Sequence, residues 1–274
     1  MKITLMLCTV MLCLGTLLAY GQQDNSVNHS AEGSFGFVRG TNKLHDLQAS
    51  PLQYFTNYNG IKGDYRRLTP KNHWYIGIEA GLGEMIAPSL GKREFRFEEG
   101  GDSFYLVPTL YRGSVSAQYL RLIEDNDRQK SFLGARLKNS FSYADGLAMN
   151  IWAMNLTDVS VAYEYSRQFG NKHLFEANVS LPVLAYATRM PYSNVVSQPD
   201  KSQSGAFLEG GQWTWLGQYF YPDIEYAYQF SLSKKNAIRV TYRYRWLNYS
   251  QPIRIQMSDH QLGLAYVYKF KSSN

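Results

Sequence analysis

The chain has 274 residues, enough for one large domain, and 45% of them are hydrophobic, yet its mean hydropathy is negative at −0.35. The formal charge is +6, but the 28 Lys and Arg residues are scattered without a run of five or six, so nucleic-acid binding finds no support beyond the pI. Past residue 21 no apolar stretch approaches the ~20 residues a membrane helix needs.

The first segment stands apart. Lys2 gives a positive start, Ile3 to Ala19 is almost unbroken apolar sequence, and Ala19-Tyr20-Gly21 offers small residues where a signal peptidase reads. This predicts a secretory signal peptide over 1–21, to be cleaved from a single domain over 22–274. Cys8 and Cys13 both lie inside it, so the mature chain is expected to have no disulfide. "TVMLC" lacks the small residues of a lipobox.

From there the chain is a series of alternating segments that break at polar turns. "SFGFVRG" (34–40) is a weak first strand. Residues 54–68 alternate poorly and predict a bulge. Residues 74–82 set Trp74, Ile76, Ile78, Ala80 and Leu82 against Tyr75, Gly77, Glu79 and Gly81. Residues 103–123 change phase near Pro108 to Gly113, which predicts a kink. Residues 132–143 set Leu133, Ala135, Leu137 and Phe141 against Gly134, Arg136, Lys138 and Ser140. Residues 158–166 set Val159, Val161, Tyr163 and Tyr165 against Asp158, Ser160 and Glu164. Residues 173–183 set Phe175, Ala177, Val179 and Leu181 against Glu176, Asn178 and Ser180. Residues 223–231 set Ile224, Tyr226, Tyr228 and Phe230 against Asp223, Glu225 and Gln229. Residues 236–249 set Ile238, Val240, Tyr242, Tyr244 and Trp246 against Arg239, Thr241, Arg243 and Arg245. Residues 261–270 set Leu262, Leu264, Tyr266, Tyr268 and Phe270 against Gln261, Gly263, Ala265 and Lys269.

Short turns at 69–72, 124–130, 169–172 and 233–236 alternate with mostly longer connections at about 41–53, 86–102, 191–212 and 251–258; "ADG" (144–146) is the tight exception. The count is ten strands with both termini on the short-turn side, and eight or twelve are the neighbouring alternatives. Splitting 103–123 would give twelve.

Alternation alone also fits a soluble sandwich or barrel. Four features favour the inverted arrangement. Several strands run well past the ~5–6 residues usual in globular proteins, and membrane strands need ~9–11. Aromatic residues gather at strand ends beside the short turns, where an aromatic girdle meets the lipid–water interface. The polar face carries charges that can pair. Folding the 232–236 turn so that Ser231 faces Ala237 sets Glu225 opposite Arg243 and Asp223 opposite Arg245, and opposite charges across a hairpin attract. An exported chain without cysteine fits the same picture.

On these features the chain resembles a Gram-negative outer-membrane β-barrel over about residues 33–270, although Phe270 is followed by "KSSN" where the family ends on Phe. No subfamily motif is present. The expected fold is an all-β, closed antiparallel transmembrane β-barrel whose lumen is filled with charged and polar side chains. Its expected partners are the bilayer and outer-membrane lipids.

The predicted lumen network is Glu79, Arg136, Lys138, Asp158, Glu164, Glu176, Asp223, Glu225, Arg239, Arg243, Arg245 and Lys269. A ten-strand barrel is too narrow for a general porin, since wide aqueous pores appear near 16 strands. The expected role is structural, surface-binding or that of a narrow conduit, with no catalytic residue, cofactor or metal assigned. The alternative is a hydrolase of lipid or peptide active at the outer rim. His45-Asp46 and Asp259-His260 are its candidates, with Ser50 nearby, because the first and last strands are neighbours in a closed barrel and Asp/His pairs can activate water or a serine. His73 and His173, which follow short turns, are expected at the interface. Loops 86–102 and 191–212 are the largest exposed features and the expected contact for an extracellular ligand.

Overall fold

The computed structural model describes residues 30–96, 103–126, 128–147, 150–190 and 202–270. The segment 1–21, expected to be a signal peptide, and parts of loops 86–102 and 191–212 lie outside the described residues. In chain order the elements are β1 (Ser30–Asp46), β2 (Gln53–Leu68), β3 (Asn72–Ile86), β4 (Arg93–Arg96), β5 (Ser103–Leu106), β6 (Thr109–Asn126), β7 (Gln129–Leu147), β8 (Asn150–Phe169), β9 (His173–Arg189), α1 (Gln203–Glu209), β10 (Gln212–Trp215), β11 (Tyr219–Phe220), β12 (Asp223–Ser231), β13 (Asn236–Tyr249) and β14 (Ile255–Lys269).

Ten of these strands close into an antiparallel barrel. β1 pairs with β14, and the ring runs β1-β2-β3-β6-β7-β8-β9-β12-β13-β14. Closure leaves no sheet edge, which a strand needs where no water is available to its amides. β4 and β5 form a separate hairpin, while β10 and β11 extend the wall at the long-loop end by pairing with β9 and β13. Among the described residues no helix is long and apolar enough to cross a membrane.

The inversion is plain in the exposures. Phe37, Ile78, Leu262 and Leu264 are 70%, 60%, 61% and 59% exposed on the outside, whereas Arg239, Arg245 and Asp259 are 2%, 1% and 0% exposed within. Arginine facing lipid at the midplane would cost about 2–4 kcal/mol, so the period-2 alternation fixes which face turns inward. The hairpin register expected for β12–β13 is the observed one: Ser231 faces Ala237, Glu225 faces Arg243 and Asp223 faces Arg245.

Three expectations are corrected. No bulge interrupts β2, whose register runs unbroken against both β1 and β3. Residues 103–106 are not the start of a kinked strand; they form β5, and the barrel strand begins afresh at Thr109. The first strand is Ser30–Asp46 rather than 34–40.

One physical cause underlies the irregular alternation. Towards the long-loop end the pattern turns inside out while the backbone continues in phase. There Leu44, Met85, Trp152, Met154, Leu247, Ile255 and Met257 point inward and are buried. On the outward side of the same strand ends stand Thr41, Lys43, Asn57, Glu84 and His260, all exposed. Along β1, β2, β3 and β14 this end has the polarity of a water-soluble barrel, and there the wall stands clear of the apolar belt.

Short turns close the opposite end. In the β8–β9 turn Gly170 takes φ +59°, which a side chain would disfavour. By the usual arrangement of such barrels, short turns mark the periplasmic side and long loops the extracellular side.

Candidate functional site

The lumen is filled in tiers. At the periplasmic end Arg66 donates two hydrogen bonds to Glu176 at 3.0 and 2.9 Å, Arg239 is paired with Glu32, and His73 Nδ1 lies 2.9 Å from Glu164. The His73 ring stacks on Phe132 with centroids 3.8 Å apart. His73 is therefore a lumen residue, not an interfacial one. His173 does sit on the outer wall, against Tyr228 and Phe230.

In the middle tier Lys62 donates to Glu225 at 2.8 Å, and Arg243 contacts both Glu225 and Glu79. Asp223 of β12 accepts from Arg136 at 2.8 Å and from Lys138 at 3.0 Å, both reaching it from β7 across the lumen. Asp158 accepts from the Ser160 hydroxyl at 2.7 Å. Above this, Asp259 is held by Arg245, by both terminal nitrogens of Arg112 at 2.9 and 3.1 Å, and by the Tyr58 hydroxyl at 2.8 Å. Gln261 ties Glu79 to the same tier at 2.7 Å. Glu79, Asp223, Asp259 and Arg243 each meet several partners, which offsets the cost of taking their charges out of water.

The extracellular half is closed by an apolar cap of Leu44, Leu110, Trp152, Leu156, Tyr219, Tyr249 and Ile255, all buried. Burial holds the Tyr219 and Tyr249 phenols above the usual range, so both rings act there as neutral packing. Over the cap, Asp46 accepts from Trp152 Nε1 at 2.8 Å and from Arg189, and Arg189 also reaches the carbonyl of Gln251 at 2.8 Å and that of Ile253. This latch fixes the β13–β14 loop to β9.

The space remaining for water among the middle-tier side chains is about 50 Å³, and beneath the cap about 20 Å³. That admits a few waters and no solute. A wider recess of about 390 Å³ opens at the periplasmic mouth between Thr69, His73, Arg128, Lys130, Gln168 and Glu176. Among the described residues the lumen is thus filled by its own side chains.

Each residue expected in the lumen lies on an inward face. Glu79, Arg136, Lys138, Asp158, Glu164, Glu176, Asp223, Arg239 and Arg245 are buried; Glu225, Arg243 and Lys269 are half-buried, with Lys269 at the periplasmic end bonded to Ser231. Sequence reasoning missed Lys62, Arg66, Arg112, Glu32 and Asp259 as network members. All five lie on strands where the alternation was obscured or the strand bounds were set too short.

The rim candidates do not assemble. Strand register sets His45 opposite Gln256 and Asp259 opposite Asn42, three positions apart along the β1–β14 ladder. Asp46 points inward to the Arg189 latch, and Asp259 is committed to the ionic tier deep in the barrel. His260 is exposed on the outer wall, bonded to Tyr242. Alternation puts His45 and Asp46, like Asp259 and His260, on opposite faces of the sheet. Among the described residues no group of three or more His, Cys, Asp or Glu could hold a metal ion.

Comparison with solved structures agrees with this geometry. The outer membrane protease OmpT from Escherichia coli is 11% identical, and the match covers 90% of this chain and 99% of that one with a TM-score of 0.54. The architecture is that of a Gram-negative outer-membrane β-barrel. Weaker matches are Ail, the attachment invasion locus protein of Yersinia pestis, at 12% identity over 89% of this chain and 99% of that one with a TM-score of 0.35, and the COG4313 outer membrane channel of Pseudomonas putida F1, at 11% over 89% and 96% with a TM-score of 0.38. At these identities the likeness is one of fold alone. No family model and no curated protein matches the barrel's sequence.

Proposed function

We propose that this barrel is a non-conducting outer-membrane scaffold that presents its extracellular end for surface binding, with residues 1–21 serving as a cleaved export signal. The observation that carries the reading is the sealed lumen: an ionic tier around Asp259 lies beneath an apolar cap latched by Asp46 and Arg189. A sealed lumen speaks against the narrow conduit, and the separated rim residues speak against the hydrolase.

The extracellular end suits presentation. Its apolar interior makes the protruding wall rigid, and rigid scaffolds carry binding loops. β10 turns Trp213 and Trp215 outward at 55% and 57% exposure, and Leu208 of α1, the element just before β10 in the chain, is 54% exposed. Grouped exposed apolar side chains at such a place mark contact surfaces.

Two measurements test this. Purified protein in planar bilayers is expected to show no conductance steps, and regular single-channel steps would overturn the reading. Cells displaying the barrel with Trp213→Ser and Leu208→Ser are expected to lose adhesion to extracellular matrix or host-cell surfaces relative to wild type. Equal adhesion by wild type, this variant and barrel-free cells would remove the binding role.

A further inference from the structure

We propose that the outer wall of β2, β3 and β6 at the periplasmic end binds the phosphate of an anionic phospholipid in the periplasmic leaflet. Strand register brings the parts together. Arg67 lies directly opposite Trp74, Trp74 opposite Tyr119, and Asn72 opposite Arg121. All five occupy outward positions of their strands, so they face lipid rather than lumen. The Trp74 and Tyr119 rings pack with centroids 4.6 Å apart, and the Tyr119 hydroxyl donates to Asn72 Oδ1 at 3.1 Å. The aromatic pair is thereby fixed between two guanidinium groups, with Lys71 exposed in the turn below.

Arg67, Lys71 and Arg121 have no ion-pair partner among the described residues, whereas the arginines of the lumen named above are all paired. The carboxylates next along β6, Glu124 and Asp125, are engaged with Asn126 and Lys130. An aromatic pair at the level of the headgroups, flanked by unneutralised cations, matches a ligand with an apolar tail and an anionic phosphate. Basic residues beside a bilayer attract anionic lipid by electrostatics that salt screens. A phosphodiester such as that of phosphatidylglycerol meets both requirements at once.

The test uses the full barrel in phosphatidylcholine vesicles containing a minor fraction of lipid with brominated acyl chains, which quench nearby indole. Subtracting the signal of Trp74→Phe isolates Trp74. Brominated phosphatidylglycerol is expected to quench Trp74 as if enriched about fivefold or more over brominated phosphatidylcholine, with the preference falling about fivefold in Arg121→Gln and largely lost in 1 M salt. Equal quenching by the two lipids in wild type overturns the proposal, and this comparison needs no variant to fold beyond the Trp74→Phe reference. Suppression of the preference by millimolar glycerol 3-phosphate would show that the site takes soluble phosphate, which also overturns the lipid assignment.

Discussion

Arg245 and Asp259 face each other across β13 and β14, 1% and 0% exposed, and their contact is the centre of the tier that seals the lumen. Hairpin pairing alone would have matched Arg245 with Asp223 on β12, which it also faces. Asp223 is instead taken by Arg136 and Lys138 from across the lumen. Each carboxylate is therefore shared among strands far apart in sequence, and the tier acts as a set of cross-barrel ties.

Removing one partner should expose what these ties are worth. Asp259→Ala leaves Arg245 and Arg112 with a buried uncompensated charge, and the expected loss is about 3–5 kcal/mol. Asp259→Asn keeps hydrogen-bond acceptance and should cost less. Urea unfolding in phospholipid vesicles, followed by tryptophan fluorescence, reads both. No difference between Ala and wild type would mean that water reaches the tier freely.

The two seals are in series, so opening one should not make a channel. Trp152→Ala with Tyr249→Ala empties part of the cap but leaves Arg112, Tyr58 and Asp259 in place. Planar bilayers are expected to stay silent with this double variant. Adding Tyr58→Ser and Arg112→Ser opens the tier around Asp259 but leaves Lys62, Glu225 and Arg243 paired beneath it, so the bilayers are expected to stay silent with this variant too. Steps from the cap variant alone would show that the ionic tier does not block.

The height of the apolar belt can be probed with one substitution at two levels. Leu264→Arg places a cation on the lipid-facing wall and should cost about 2–4 kcal/mol in folding free energy. Thr41→Arg, outward on β1 above the belt, should stay within about 0.5 kcal/mol of wild type. Equal costs at both positions would contradict a wall that rises clear of the bilayer.

The Asp46–Arg189 latch predicts a local effect. Arg189→Ala frees the carbonyls of Gln251 and Ile253, so amide exchange at Ser250, Gln251, Ile253 and Arg254 should speed up while the amides of β12 and β13 within the belt stay protected. Unchanged exchange in that loop would show that it is held by other contacts.

The lower half of the barrel could be read directly from the chain. Along β12, β13 and the C-terminal part of β14, large apolar or aromatic residues alternate with smaller, polar or ionic ones, because lipid stands on one side and a crowded polar lumen on the other. The upper half was obscured at "IQMSDH" and in 54–60. There Ile255 and Met257 face inward and Ser258 and His260 outward, the reverse of the pattern ten residues later. A strand of constant phase thus gave a pattern that reads as a bulge or a loop. The same reversal made His45-Asp46 and Asp259-His260 look like a rim site.

By itself, then, the sequence determined the sheet, its ten-strand count, the β12–β13 register and which side of each lower strand faces lipid. These follow from a period of two and from the high cost of an arginine in hydrocarbon, both of which act residue by residue. Which carboxylate neutralises which guanidinium, and that side chains fill the lumen beneath an apolar cap, only the tertiary structure decided. Closure brings together side chains more than 200 residues apart, such as Tyr58 and Asp259, and no local spacing encodes that meeting.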